Sequence, residues 1–150
     1  MRTQLQAEIN KVDAEKIRPL RHAELRKGQD FSTTSYLKDC AESTFHIACI
    51  IDEKAVTCAT FYPEKSTKIK SENAYRLRGM ATDSNFQRKG YASDLMAESF
   101  KELKKRDCDM VWCNARLVAV PFYKSVGFKI IGDLFDITGI GPHYYMYKEL

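Results

Sequence analysis

A strand, a charged loop and a long helix follow one another in residues 74–92, AYRLRGMATDSNFQRKGYA. We predict the strand over residues 74–82, where Gly79 indicates a bulge or a close approach of another group to the backbone. Apolar side chains then recur at helical spacing over residues 90–106. The stretch therefore predicts a strand that leads through a short loop into the start of a helix.

The loop before this helix combines three features that attract an anion. The first N–H groups of a helix have no intrahelical partner, and the helix dipole places about half a positive charge at that end. Gly90 lets the backbone approach a ligand closely, and Arg88 and Lys89 add two full positive charges. Together they predict a site for phosphate or pyrophosphate. The alternative is that Gly90 only turns the chain and that both cations are solvated.

The other predicted elements alternate between helices and strands. Along the chain they are a short strand over 4–10, a helix from Asp13 to about Arg26 that Pro19 kinks or delays, a hairpin of 44–51 and 56–62, a buried strand over 110–115, a helix over 117–125, and two last strands near 129–131 and 144–148 with a glycine-rich connection. This order excludes an all-β sandwich and an all-α bundle, and it predicts an α/β fold in which helices pack on a mixed sheet.

Length and composition predict a single domain over residues 1–150. The formal charge of +4 is modest for a nucleic-acid-binding protein, and no apolar run reaches the roughly 18–20 residues that span a bilayer. The five cysteines form no C-x-x-C pair, which favours a reducing cytoplasm over a disulfide framework or a metal site. Cys49 and Cys58 alternate with apolar neighbours and are interpreted as buried, with a catalytic cysteine as the alternative. We expect a cytoplasmic protein without nucleic-acid, membrane or metal binding.

Two motifs resemble those of the GNAT superfamily of N-acetyltransferases. Residues 87–92, QRKGYA, match the acetyl-CoA-binding motif Q/R-x-x-G-x-G/A. Residues 119–128, AVPFYKSVGF, match the pattern A-x-x-F-Y-x-x-x-G-F that follows it in the family. The resemblance covers about residues 44–150 well and residues 4–43 loosely. It implies a GNAT-like fold with mostly antiparallel N-terminal strands, a splayed central pair of parallel strands, and helices on both faces of the sheet.

The resemblance implies that acetyl-CoA is the acyl donor and that it lies along the strand over residues 74–82. Backbone groups of Met80 and Thr82 would pair with the pantetheine amides, and an N–H near Met80 or Ala81 would polarise the acetyl carbonyl. The implied cofactor-binding residues are Met80, Ala81, Thr82, Gln87, Arg88, Lys89, Gly90, Tyr91, Ala92, Asn114 and Phe122.

One position departs from the family pattern. Many members carry an Asn three residues before the position of Ala119, whereas Arg116 stands here and Asn114 lies two residues earlier. Three roles are therefore compatible with Arg116: contact with a phosphate, contact with an anionic acceptor, and a purely structural role in the turn. Arg76 and Arg78 share a strand face, and with Arg116 they are the predicted acceptor-binding residues, which favours an anionic group such as a carboxylate on the acceptor. Pairing with a cross-strand Glu or Asp is the alternative.

Direct attack of a neutral amine on the thioester is the reaction that the resemblance implies. Tyr123 matches the family's general acid, a phenol near the CoA sulfur, and a tyrosine packed in the core is the alternative. No general base is evident, but His143, which follows Gly141 and Pro142, is a candidate catalytic residue. A plain loop histidine, with a water chain as the base, is the alternative.

The sequence thus predicts transfer of the acetyl group of acetyl-CoA to the primary amine of a small acceptor. Acetylation of a protein or peptide amine is one alternative, and a non-catalytic acyl-CoA-binding module is another. A homodimer is compatible with the sequence.

Overall fold

The computed structural model describes residues 7–150, and the chain packs into two compact units. Unit 1 contains the residues up to Tyr62 and Gly79–Ser99, and unit 2 contains Pro63–Arg78 and Phe100–Leu150. Neither unit is a continuous piece of chain. The single domain that length and composition predict stays a prediction.

Within residues 7–150 the chain forms seven strands and three α-helices. They are β1 (Glu8–Val12), α1 (Ala14–Leu25), β2 (Phe45–Ile51), β3 (Lys54–Pro63), β4 (Ala74–Thr82), α2 (Tyr91–Lys105), β5 (Met110–Arg116), α3 (Val120–Ser125), β6 (Lys129–Ile137) and β7 (Gly141–Glu149). The strands form a sheet in the order β1-β2-β3-β4-β5-β7-β6.

The sheet is mixed, as the sequence predicts. β1, β2 and β3 pair antiparallel, as do β5, β7 and β6, whereas β4 and β5 are parallel. The parallel register joins only Ala74–Arg76 to Met110–Trp112, although both strands run on for several residues. This short register is the splayed parallel pair that the resemblance implies, and the predicted fold class is confirmed.

Within unit 1, α1 and α2 cover opposite faces of β2. Ile17 of α1 packs against Ala48 of β2 and Cys58 of β3. Side chains alternate along a strand, so Cys49 faces the other way. There the charge of Asp94, in the first turn of α2, helps burial to raise the pKa of the Cys49 thiol. Cys49 and Cys58 are both buried and free, as predicted.

The first helix and the first strand differ from the sequence expectation. α1 starts at Ala14 and continues through Pro19, so the proline does not delay the helix. Asp13 occupies the N-cap position, but its side chain makes no capping hydrogen bond. β1 begins at Glu8, and residues 4–6 of the predicted strand lie outside the described residues.

The last two strands are longer than predicted, and the expectation of a glycine-rich connection between 131 and 144 is wrong. β6 and β7 extend to a tight turn at residues 138–140. Gly132, with φ +82°, lies at the register irregularity between Ile131 and Phe135. A β-ladder with such an irregularity accommodates a residue with a left-handed backbone. In the sequence, a glycine at such a position is indistinguishable from a loop glycine.

The helix predicted over residues 117–125 has two parts. A 3₁₀ turn spans Leu117–Ala119, and the α-helix starts at Val120 with Pro121 in its first turn, where a missing N–H costs nothing. None of the helices in the described part of the chain is long and apolar enough to cross a membrane.

Candidate active site

The predicted anion site lies in unit 1, where β4 leads into α2. The carbonyl of Gly90 accepts the N–H of Asp94 at 3.0 Å, which makes Gly90 the residue that precedes the helix. Arg88 and Gly90 are both left-handed, with φ of +61° and +86°. Left-handed residues among right-handed or extended ones turn successive N–H groups into a concave surface that suits an anion.

The space and the charge of this loop fit a diphosphate. A Cβ on Gly90 would meet no heavy atom within 4 Å, so the backbone is open on that side. Gln87, Arg88, Lys89 and Gly90 are exposed, and the cationic side chains are accessible to a ligand. The structure thereby fits the pyrophosphate of acetyl-CoA.

The approach to this loop is anchored to other elements of unit 1. Glu24 of α1 accepts hydrogen bonds from the Ser84 hydroxyl at 2.9 and 3.0 Å and from its N–H at 3.2 Å. Asp83 accepts the N–H of Asn85 at 2.9 Å and pairs with Lys54 at 3.3 Å. The backbone hydrogen bond from Asn85, assisted by Lys54, holds the pKa of Asp83 below its usual range. The loop therefore starts from a defined position at the end of β4.

Met80 and Thr82 lie near the end of β4. Both are half-buried, whereas Ala81 is buried in the core cluster that α1 covers. Gly79 is left-handed, with φ +64°, and a Cβ there would lie 3.0 Å from Cε2 of Tyr36. This confirms the close approach that the glycine indicates.

In unit 2, Tyr123 is buried between two phenylalanine rings. Its ring centroid lies 5.5 Å from that of Phe122 and 5.2 Å from that of Phe128. Burial raises the pKa of Tyr123 well above its usual range; Cys113 acts in the same direction and Arg116 opposes it. The phenol therefore keeps its proton at neutral pH, as a general acid requires, and as a core tyrosine also would.

His143 of β7 lies directly opposite Arg116 of β5 in the antiparallel register. The imidazole is only 3% exposed and stacks on Phe135, with ring centroids 5.9 Å apart. Its Nδ1 lies 2.7 Å from the carbonyl oxygen of Gly141 and so carries the hydrogen in that bond. In the neutral ring this leaves Nε2 as the nitrogen that can accept a proton.

The predicted acceptor-binding arginines have different surroundings. Arg76 pairs with Glu64 at 3.2 Å, and its guanidinium lies 4.9 Å from the centroid of the Trp112 ring. This is the pairing with a carboxylate that the sequence left as the alternative. Arg78 and Arg116 are half-buried. The acceptor role of all three arginines stays a prediction.

The structure groups the predicted site residues into two sets. In unit 1, residues 80–82 and 87–92 lie at the two ends of one strand-loop-helix connection. In unit 2, Arg116 stands opposite His143 in register and acts electrostatically on Tyr123. Asn114, predicted to bind the cofactor, lies opposite Tyr145. No group of three or more His, Cys, Asp and Glu side chains within residues 7–150 is placed to hold a metal.

Sequence reasoning missed a buried polar network in unit 1. Arg21 of α1, 0% exposed, binds both carboxylate oxygens of Asp39 at 2.7 and 3.0 Å, the Thr60 hydroxyl at 2.7 Å and the Thr34 carbonyl at 2.8 Å. His46 joins the network through Thr60 at 2.7 Å and the Asp39 carbonyl at 2.9 Å. The available signal was an arginine one helical turn after Ile17, on the apolar stripe of α1.

We expect the Asp39→Asn substitution to destabilise the protein by about 3–5 kcal/mol at pH 7, because it leaves Arg21 charged and buried without its partner. Burial opposes the ionisation of Asp39, but hydrogen bonds from Arg21 and from the Tyr36 N–H outweigh it and hold its pKa below the usual range. A depressed pKa stabilises the folded state above the unfolded pKa of about 3.9, and the contribution is lost as the pH falls through the folded value.

Urea unfolding of both proteins at pH 7 and at pH 3 tests this expectation, and the difference should shrink at pH 3. Glu15→Gln is the matched control: its carboxylate pairs with Arg18 at 3.2 Å but is 80% exposed. An exposed pair contributes less than about 1 kcal/mol. Equal losses of stability in the two variants would contradict a structural role of the buried pair.

A mixed sheet with a splayed parallel pair, and a helix that starts after an exposed cationic loop at the end of one strand of that pair, match an acetyl-CoA-dependent acetyltransferase. The family model described as the acetyltransferase (GNAT) family matches residues 13–128, and the chain belongs to this family. The predicted enzyme class and acyl donor are thereby confirmed.

The comparisons with individual proteins agree with this. The chain is 35% identical over 143 residues to the "Uncharacterized N-acetyltransferase YitI" of Bacillus subtilis (strain 168), which covers 95% of this chain and 96% of that protein. Among solved structures it resembles an aminoglycoside 6'-N-acetyltransferase complexed with coenzyme A, with a TM-score of 0.77, 13% identity, and coverage of 95% and 96%. It also resembles the NatC complex bound to Gag peptide and CoA, with a TM-score of 0.75, 15% identity, and coverage of 97% and 99%. The two structures show a shared fold alone.

Proposed function

We propose that this protein acetylates the primary amine of a small acceptor that carries a carboxylate or another anionic group. The observation that supports this proposal is the arrangement in unit 2, where Arg116 lies opposite His143 and its charge partly opposes the rise in the pKa of Tyr123 that burial causes. A guanidinium beside a candidate acid and a candidate base suits recognition of an acceptor anion.

The cofactor-binding residues are assigned by what each can offer. The first-turn N–H groups at Tyr91 and Ala92, with Arg88 and Lys89, would hold the pyrophosphate. Backbone groups of Met80, Ala81 and Thr82 would pair with the pantetheine arm, as an added strand does. Gln87 and Gly90 would shape the loop around the pyrophosphate, and Asn114 and Phe122 are the cofactor-binding candidates of unit 2.

Acetyl-CoA supplies a thioester, whose C–S bond breaks as the amine nitrogen bonds to the acetyl carbon, so that the thiolate needs a proton and the amine must lose one. Tyr123, which is protonated at neutral pH, would donate its phenolic proton to the sulfur. His143 accepts the amine proton at Nε2, directly or through water, while the Gly141 carbonyl holds Nδ1–H. The N–H of Met80 donates to the acetyl oxygen, where negative charge develops.

Thiol release from acetyl-CoA across a panel of amines tests the proposed acceptor. The panel contains matched pairs, each an amino acid and the amine that lacks its carboxylate. A charge-assisted hydrogen bond contributes about 1.5–3 kcal/mol, so we expect kcat/KM to be about 10- to 100-fold higher for the carboxylate-bearing member.

Arg116→Gln should remove most of that preference and leave the rate with the simple amine nearly unchanged. Lys129→Gln, which removes a cation from an exposed position of β6, is the control. Equal kcat/KM for both members of each pair would refute the anionic acceptor, and a much higher rate with peptides would indicate a protein or peptide acetyltransferase instead.

A further inference from the structure

Three side chains of unit 1 enclose the peptide bond between Gly79 and Met80 on one side. The Cys58 thiol donates to the carbonyl oxygen of Gly79, with Sγ 3.4 Å from that oxygen. A Cβ on Gly79 would lie 3.0 Å from Cε2 of Tyr36 and 3.2 Å from Nε of Arg21. Tyr36 and Arg21 therefore fill the space that a side chain at this position would need.

The Cys58 thiol contacts one end of this peptide, its carbonyl oxygen. Glycine at φ +64° leaves the following peptide free to adopt more than one orientation. In a trans peptide the C=O and the N–H point in opposite directions. The bond from Cys58 to the Gly79 carbonyl therefore directs the Met80 N–H away from Cys58. Burial raises the pKa of Cys58 to about 12, so the thiol stays a donor at neutral pH.

Arg21 and Tyr36 are themselves immobilised. The Arg21 guanidinium is held by the buried pair with Asp39, and it lies 3.9 Å from the centroid of the Tyr36 ring. Asp39 also accepts the N–H of Tyr36 at 2.9 Å. Among residues 7–150, Arg21 Nε finds no hydrogen-bond partner, because its neighbour on that side is the bare Cα of Gly79.

Met80 lies between two fixed neighbours. Gly79 is enclosed as described, and Ala81 is buried in the core cluster with Ile17 and Leu20 of α1. Met80 itself is half-buried and belongs to a segment whose neighbouring residues are held in place. A donor that must meet a developing charge acts best when its orientation is set beforehand.

We propose that Cys58 is a positioning residue for acetyl transfer: it orients the Gly79–Met80 peptide, and Arg21 and Tyr36 keep Gly79 in place. This inference rests on the proposed role of the Met80 N–H as the donor to the acetyl oxygen. The thiol takes no part in covalent chemistry.

Replacement of the thiol donor tests the proposal. Complete loss of one oxyanion donor lowers kcat by about 10²–10³-fold. Cys58→Ala keeps the Met80 N–H but no longer fixes the orientation of its peptide. We therefore expect kcat to fall by about 10-fold or more. The dissociation constant of CoA should hardly change. Cys58→Ser keeps a hydroxyl donor and should restore kcat to within about twofold of the wild type. Cys49→Ala is the matched control, since Cys49 is 1% exposed but faces the other side of the sheet.

Infrared difference spectra of bound acetyl-CoA, labelled with ¹³C at the carbonyl, give a readout that needs no acceptor. The wild type and Cys58→Ser should shift the carbonyl stretch to lower frequency, and Cys58→Ala should reduce that shift. Cys58→Val, which lacks a donor but fills the space, replaces Cys58→Ala if the latter does not fold. Equal carbonyl shifts in the wild type and the donor-free variant would overturn the positioning role. Absence of transfer by the wild type to any amine would instead refute the proposed function.

Discussion

The Tyr123→Phe enzyme should transfer acetyl groups at least about 100-fold more slowly than the wild type in a single turnover, because general acid catalysis contributes about 10²–10⁴-fold. The substitution keeps the ring between Phe122 and Phe128 and removes only the hydroxyl. The proton is needed in the transition state and not in the ground state, so the loss should appear in kcat with little change in the affinity for CoA. Rapid-quench measurement of one turnover avoids masking by product release.

Tyr62→Phe is the matched control for this experiment, since Tyr62 is 3% exposed in unit 1 and has no predicted site role. It should turn over at the wild-type rate. A Tyr123→Phe enzyme as fast as this control would show that Tyr123 is a core residue, and the proton on the sulfur would have to come from water or another group.

The Gly90→Asp substitution should abolish the rise in melting temperature that CoA produces in the wild type by binding the folded state. A carboxylate at this position would face the pyrophosphate, and two unit charges 4 Å apart near a protein surface repel by about 4 kcal/mol, which corresponds to an affinity loss of about 10³-fold. The variant should still fold, because a Cβ at Gly90 meets no atom within 4 Å and Asp tolerates a left-handed backbone better than most residues.

Gly28→Asp controls for the strain, because Gly28 has φ +80°, open space around its Cα, and a place in unit 1 at the end of α1. This variant should lose a similar amount of stability and keep the full CoA-induced shift. A normal shift in Gly90→Asp, measured by scanning fluorimetry over a range of CoA concentrations, would refute the assignment of the pyrophosphate site.

The elements that carry the cofactor motif were predictable because their signals are local. The strand at residues 74–82 agrees with β4, and the helix predicted over 90–106 differs from α2 by one residue at each end. Apolar periodicity and a glycine before the helix act over a few residues, so they survive in almost any tertiary context. The predicted anion site lies in the same connection, and so its candidate residues follow from the sequence alone.

The antiparallel end of the chain shows where local signals fail. The sequence stretch that contains Gly132, Gly139 and Gly141 has the composition of a loop, yet all but a short turn of it belongs to β6 and β7. Strand pairing with β5 and between the two strands overrides the weak local preference. The pairing also sets Arg116 opposite His143, a relation between positions far apart in sequence.

By itself the sequence determined the order of helices and strands, the acetyltransferase family and the position of the glycine-containing loop that is predicted to bind an anion, because each depends on spacing within one short segment. Only the tertiary structure decided which polar side chains are paired and buried. In the sequence Arg76 is a candidate ligand of the acceptor, and in the structure it pairs with Glu64. Nothing in the sequence connects Arg21 and Cys58 with Gly79, beside which the fold places both side chains. The physical reason is that hydrogen bonds and ion pairs form between groups that meet in space, and local periodicity carries no information about which strand or loop will supply the partner.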